Sequence, residues 1–381
     1  MSKENYRRLG DYIREVDVRN RDLEVKELLG VSISKEFIPS IANTIGTDMS
    51  FYKVVEPLQF AYGPVTSRNG DKVSIALYTG KGKIIISQAY TVFEVKNQDE
   101  LLPEYLMMWF RRPEFDRYAR FKSHGSAREI FSWEEMCDVF LPIPPIEQQR
   151  KIVTEYEAVS RRIRLNEQTI ARLEETAQAL YHKMFVDGID KENLPEGWSM
   201  GTLGEIAEYV NDKISLEDIE DADYISTENM LKDKKGIIYS TNKPDNGRGT
   251  KFKREDILVS NIRPYFKKIW KASFDGACSN DVLCFRSKDK NNALLLFYTM
   301  EQDYFFDYVI AGSNGVKMPR GDKDWIMKYP ILKPQKKDIE QFQIRTYALH
   351  KYIINSKQEK LQMQKIQSLL LARLGNKKIS L

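Results

Sequence analysis

With 381 residues, 42% of them hydrophobic and 30% charged, the chain has enough apolar matter for two or three cores, which excludes a disordered or fibrous protein. Its formal net charge of +4 neither demands nor excludes a nucleic-acid partner. Cys137, Cys278 and Cys284 lack metal-ligand spacing and leave an odd thiol in any disulfide scheme; with no apolar signal core and no long apolar run, a soluble cytoplasmic protein without a membrane partner is expected.

In chain order, the first 145 residues read as a mixed α+β globule. Short β-branched or aromatic runs at 53–55, 73–78, 83–86 and 89–95 predict strands, and one helix is expected over 103–122. Residues 147–185 then show apolar or small side chains at Ile152, Tyr156, Val159, Ile163, Ile170, Leu173, Ala177, Leu180 and Met184, broken at Asn166. Steps of three and four predict a helix roughly 58 Å long that needs a helical partner along its seam. A linker rich in turn residues, 187–197, opens a second globule over 189–336, with strands expected at 224–226, 256–260, 268–272 and 281–286 and one helix over 292–311. A last run, 338–374, repeats the helical spacing through Ile339, Phe342, Leu349, Ile353, Met363, Leu370 and Leu374, interrupted at Ser356 and Lys360. The domains expected are thus 1–145, a central helix 146–188, 189–336, and a C-terminal helix 337–381 paired antiparallel with the central one.

The chain also repeats itself. YRRLGDYI at 6–13 returns as WSMGTLGEI at 198–206, and LLPEYLMMWFRRPEFD at 101–116 as ALLLFYTMEQDYFFD at 293–307. HGSAR at 124–128 corresponds to GSNGVKMPR at 312–320, and LPIPPIEQ at 141–148 to YPILKPQKKDIEQ at 329–341, each just before a long helix. In the second version of that motif, Lys336, Lys337 and Asp338 read as an insertion that would alter how the chain enters its helix.

Two loops at corresponding points carry chemistry suited to DNA. YGPVTSRNG at 62–70 gathers Tyr62, Thr66, Ser67, Arg68 and Asn69; SNIRPY at 260–265 gathers Ser260, Asn261, Arg263 and Tyr265. Arginine, asparagine and hydroxyl side chains pair with base edges and phosphates, although Gly, Ser and Asn also serve ordinary turns. His124, Ser126 and Arg128 in the first half and Asn314, Lys317 and Arg320 in the second complete the candidate set. Basic residues 111–128 interleaved with aromatics, and Lys267, Lys268 and Lys323 later, have the composition of a duplex-binding surface; for the aromatics, a core role is the plainer reading. Nothing indicates catalysis. The sequence holds no GxxxxGK or GxGxxG loop, no Asp or Asn followed by Pro-Pro-aromatic, and no metal-ligand spacing around His182.

Together, LPIPPIEQQRKIV at 141–153, GSAREIFSWEEM at 125–136 and EDILVSNIRPYFKKI at 255–269 followed by GACSNDVLCF, in this duplicated order, resemble the specificity subunits of type I restriction-modification systems. The resemblance covers essentially the whole chain. It implies two target recognition domains, each reading half of a split double-stranded DNA target, spaced by paired helices that dock two methyltransferase subunits. It implies a non-catalytic chain without a cofactor of its own: S-adenosylmethionine would sit on the methyltransferases, and ATP with magnesium on restriction/translocase subunits. The same residues also fit a modification-only system or a coiled-coil scaffold that binds protein instead of DNA.

Overall fold

The computed structural model describes residues 6–40, 46–67, 72–124, 129–240, 242–315 and 318–375. It contains helices α1 (Pro103–Phe110), α2 (Pro113–Lys122), α3 (Trp133–Cys137), α4 (Ile146–Phe185), α5 (Leu203–Ile206), α6 (Ala293–Glu301), α7 (Asp303–Ala311), α8 (Lys323–Met327) and α9 (Lys336–Gly375). The chain divides into two compact units, Met1–Leu165 with Glu359–Leu381, and Asn166–Gln358. The cuts fall inside α4 and α9, so each unit holds one mixed globule and a piece of both long helices.

Each globule is built on a four-stranded antiparallel sheet of the same order. In the first unit the order is Ile13–Val16, Thr91–Val95, Phe60–Tyr62, Ile75–Leu77; in the second it is Ala207–Tyr209, Val282–Ser287, Ile257–Ser260, Ile269–Lys271. Both faces are buried, so alternate residues enter different cores. Phe60, Tyr62, Phe93 and Val95 pack with α1 and α2, while Ala61 and Val92 join Val55, Ile84 and Ile86 on the other side. In the second unit Ile257, Val259, Leu283 and Phe285 meet α6 and α7, and Leu258, Val282, Cys278 and Cys284 form the opposite core. Those two cysteines are free and act as small apolar core residues.

From α1 to α9 the repeat runs at a constant offset of 190 residues: 103 to 293, 113 to 303, 133 to 323 and 146 to 336 begin equivalent helices. The expected insertion at 336–338 is therefore absent; these three residues are the first turn of α9. The first-turn positions differ chemically instead. Gln149 is fully buried, accepts from Leu102 N and donates to the carbonyls of Glu100 and Pro144, whereas its counterpart is apolar Ile339. The repeated Leu-Gly pair is explained too. Leu9 and Leu203 are fully buried, with their N–H groups bonded to Val139 O and Tyr329 O, both at 2.8 Å. A Cβ on Gly10 would lie 2.8 Å from Cys137 Cβ, and one on Gly204 3.2 Å from Met327 O, so glycine lets α3 and α8 approach.

Each long helix expected over 103–122 and 292–311 is broken in two. Pro113 lacks an N–H and drives Arg112 to an extended ψ of 137°; Gln302 takes the same conformation, ψ 147°, without a proline, its side-chain amide donating to Tyr298 O. The strands Ile13–Val16, Phe60–Tyr62, Arg248–Phe252 and Gly276–Cys278 were not expected from sequence. Their runs are short, and the last two are rich in glycine or charge.

Within each unit the two long helices pack antiparallel. In the first, Tyr156 and Leu374 are buried together with Ile152 and Leu370 against them, Gln367 Nε2 donates to Ser160 Oγ at 2.9 Å, and Arg162 grips Glu359 with two bonds at 2.5 and 2.9 Å. In the second, Ala177, Tyr181 and Phe185 pack on Ile339 and Phe342, with Leu180, Met184 and Leu349 alongside, and Lys357 pairs with Glu174 at 2.8 Å. Ile163, Ile170 and Ile353 are buried; Val159, Leu173 and Met363 are half-buried. Asn166, where the apolar pattern breaks, is nonetheless buried: it is 5% exposed and its Nδ2 has no hydrogen-bond partner among the described residues. No helix among the described residues is long and apolar enough to cross a membrane.

The helix junction of the second unit is aromatic and titratable. Phe342 is fully buried with rings of Tyr181, Phe185 and Tyr298 within 5.3 to 6.1 Å, and Tyr298 Oη lies 3.0 Å from His350 Nε2. Phe342→Ala should lower the unfolding free energy by about 3–5 kcal/mol in a denaturant titration. Glu301, buried and bonded by Gln178 Nε2 at 2.7 Å, has its carboxyl raised to about 7 by burial, against the hydrogen bond, which lowers it. The native state keeps a proton that the unfolded chain releases above its ordinary value of 4.5, so this contribution is lost as pH rises from there to about 7. Thermal melts from about pH 5 to about pH 8 should show a smaller loss of stability in Glu301→Gln than in the wild type.

Candidate nucleic-acid interface

In each unit the loop that leaves the central strand is tied to a ribbon that follows the second helix of the pair. In the first unit, Thr66 N donates to Glu129 O (2.9 Å), Phe131 N to Pro64 O (2.8 Å), and Val65 and His124 both bridge to Ile130. In the second, Arg263 N donates to Pro319 O (2.9 Å), Ile262 bridges to Arg320, and Ser313–Asn314 pairs with Arg320–Gly321. His124 and Ile130 correspond to Asn314 and Arg320 at the same 190-residue offset. Two loops far apart in sequence are thus gathered at one edge of each globule.

Three candidates for DNA contact are corrected. Tyr62 is not a loop residue: it ends the central strand, is fully buried and packs against Phe93 and Phe131. Thr66 is 1% exposed and spends its hydroxyl on Ser123 Oγ and Glu129 O. Ser260 is 4% exposed, with Oγ donating to Ile262 O at 3.1 Å. All three hold the loop base, because a short strand that enters a turn must satisfy its polar groups locally. Ser67 is exposed, as is His124, whose Nε2 lies 3.9 Å from Glu135. Arg68, Asn69, Ser126, Arg128 and Lys317 lie outside the described residues, and Asn314 is described only as a strand position.

The second unit brings Asn261, Arg263, Tyr265 and Arg320 together. Asn261 N donates to Asp281 O, and its Oδ1 is buried without a partner among the described residues. Arg320 is held by Asp281 at 3.0 Å. Arg263 is exposed, sits in the left-handed region at φ 51°, and its guanidinium makes no bond to any described residue. Tyr265 is 48% exposed, edge-on to Phe266 at 4.7 Å.

The basic row of the first unit is less available than its composition suggests. Arg112 lies over the Trp109 ring at 4.3 Å and Arg111 over Tyr156; Arg117 pairs with Glu114, Arg120 with Glu129, and Lys122 with Glu135. Phe110 and Phe115 are core residues, while Phe121 is 80% exposed and is not. No group of three or more potential metal ligands occurs among the described residues.

Sequence reading missed Gly321, a position that shapes the site. A Cβ there would come within 3.0 Å of Ile326 Cδ1 and Val309 Cγ1 and 3.1 Å of Asn261 Oδ1. Gly321→Ala should therefore push Asn261 outward and cost about 1–3 kcal/mol of stability, read by denaturant unfolding.

Residues 32–175 match the family model of the type I restriction modification DNA specificity domain. No curated protein matches the chain. Among solved structures, the S subunit of a type I restriction-modification system from M. genitalium shares the fold at 12% identity, TM-score 0.59, over 97% of this chain and 95% of that one. The HsdS subunit from Thermoanaerobacter tengcongensis is 16% identical at TM-score 0.36, covering 98% and 97% of the two chains. A type I R-M chain described for complex assembly and conformational transition is 15% identical at TM-score 0.44, covering 97% and 96%.

Proposed function

We propose, from the match of residues 32–175 to the type I restriction modification DNA specificity domain, that the whole chain is a non-catalytic DNA-specificity subunit of a type I restriction-modification system. The observation that carries this to the second half is the repeated loop-and-ribbon edge, with equivalent pairings at Val65–Ile130 and Ile262–Arg320. Each unit reads one part of a two-part duplex target. Base edges are read foremost by Arg263, whose guanidinium makes no bond to a described residue; Ser67, His124, Asn261 and Tyr265 contribute from the same edges, while Arg320 is held by Asp281. Two methyltransferase subunits dock on the chain and carry the chemistry, and restriction subunits join through them.

A bidentate arginine-guanine pair contributes about 1–3 kcal/mol of discrimination. Arg263→Ala in the full chain, within its native assembly, should relax preference in one part of the target and leave the other intact when bound sequences are selected from a randomised duplex pool. Equal loss across all sequences would reassign Arg263 to phosphate contact, and binding indifferent to both salt and sequence would favour a protein-binding scaffold.

A further inference from the structure

We infer that the turn Lys232 to Lys235 is a phosphate-gripping element of the second unit, locked to the turn that presents Arg263. The inference rests on the DNA reading above and extends it to a segment outside every motif named so far. The two turns are joined by backbone bonds, Asp233 N to Phe266 O and Lys234 N to Lys267 O, both 2.9 Å. On its other side the Arg263 turn is bonded to Pro319, so it is clamped between two neighbours.

Four non-glycine residues in these turns have left-handed φ: Asp233 at 57°, Lys234 at 62°, Arg263 at 51° and Lys267 at 48°. Such conformations are strained for residues with a Cβ and persist only where surrounding contacts determine them, which is characteristic of ligand clamps. Their cations fall into two sets. Lys234 and Lys267 share Asp303 Oδ1, each at 2.8 Å, and the pair holds that carboxyl down at about 2; this is a latch that fastens both turns to the start of α7. Lys232 is instead exposed and held 4.0 Å over the Phe266 ring, a contact that orients an ammonium without cancelling its charge. Lys235 is exposed and its ammonium makes no bond to a described residue, though its backbone N–H donates to Lys232 O. In all, six cations at Lys232, Lys234, Lys235, Arg263, Lys267 and Lys268 stand against four carboxylates, Asp233, Asp303, Asp307 and Glu228. An excess of oriented, uncompensated positive charge beside a base-reading arginine fits the backbone of the same duplex.

Each phosphate neutralised steepens the dependence of log K on log salt by about 0.9. Binding of the full chain to a mixed-sequence duplex across a salt series should therefore lose about 1.8 of slope in Lys232→Gln/Lys235→Gln, with sequence preference unchanged. Lys253→Gln/Lys290→Gln, which removes exposed charges at the opposite end of the central strands, should keep the wild-type slope. If the first double variant melts below the assay temperature, Lys235→Gln alone carries the test, with a loss of about 0.9. A steep wild-type slope that the lysine variants leave intact would overturn the inference while sparing the DNA reading. A wild-type chain without salt-dependent duplex binding would overturn the DNA reading, and this inference with it.

Discussion

A 40-residue helix with an apolar stripe down one face is not stable alone in water, and this chain has two. Each is covered by the other, in two different settings. The first part of α4 packs on the end of α9 within one unit, and the remainder of α4 packs on the beginning of α9 within the other. The first unit is therefore not a continuous stretch of chain, whereas the second, Asn166–Gln358, is. The first is completed by Leu374, which is buried in its core, and by the carbonyl of Gly375, which accepts from Tyr6 Oη across almost the whole sequence. Folding must close that long loop before the core of the first unit is finished.

The second organising fact is duplication with selective divergence. Where residues hold the scaffold, the copies agree: buried leucines before glycine, N-capped short helices started by Ser132 and Asp322, and the same sheet order. Where they enter the long helix, the copies use different chemistry for one geometry, a buried glutamine in one and an isoleucine in the other. The helix break follows the same logic, with proline imposing in the first copy what Gln302 adopts in the second. Loops at the gathered edge differ more in sequence, as loops on a shared scaffold commonly do.

Charge illustrates how composition misleads. The row from Arg111 to Lys122 reads as a duplex-binding face, yet its cations are largely matched by Glu114, Glu129 and Glu135 or held over rings. In the second unit the freer charges are Arg263, Lys232 and Lys235, separated in sequence and brought to adjacent turns only by folding. A carboxylate partner removes a cation from recognition, whereas an aromatic partner positions it.

The amino-acid sequence by itself determined the long helices, their seam, the duplicated order of elements and most strands of strong β-branched character, because those depend on local periodicity and on repetition. It did not locate Phe60–Tyr62, since three apolar residues before Gly-Pro look alike as strand end or loop start. Tertiary structure alone decided that Tyr62, Thr66 and Ser260 are internal, that Asn166 is buried, and that no residues are inserted ahead of α9. It also decided which cations remain unpaired. The physical reason is common to all of these: burial and charge pairing are set by residues distant in sequence, such as Phe93 against Tyr62 or Asp303 against Lys234 and Lys267, and no local pattern encodes those partners.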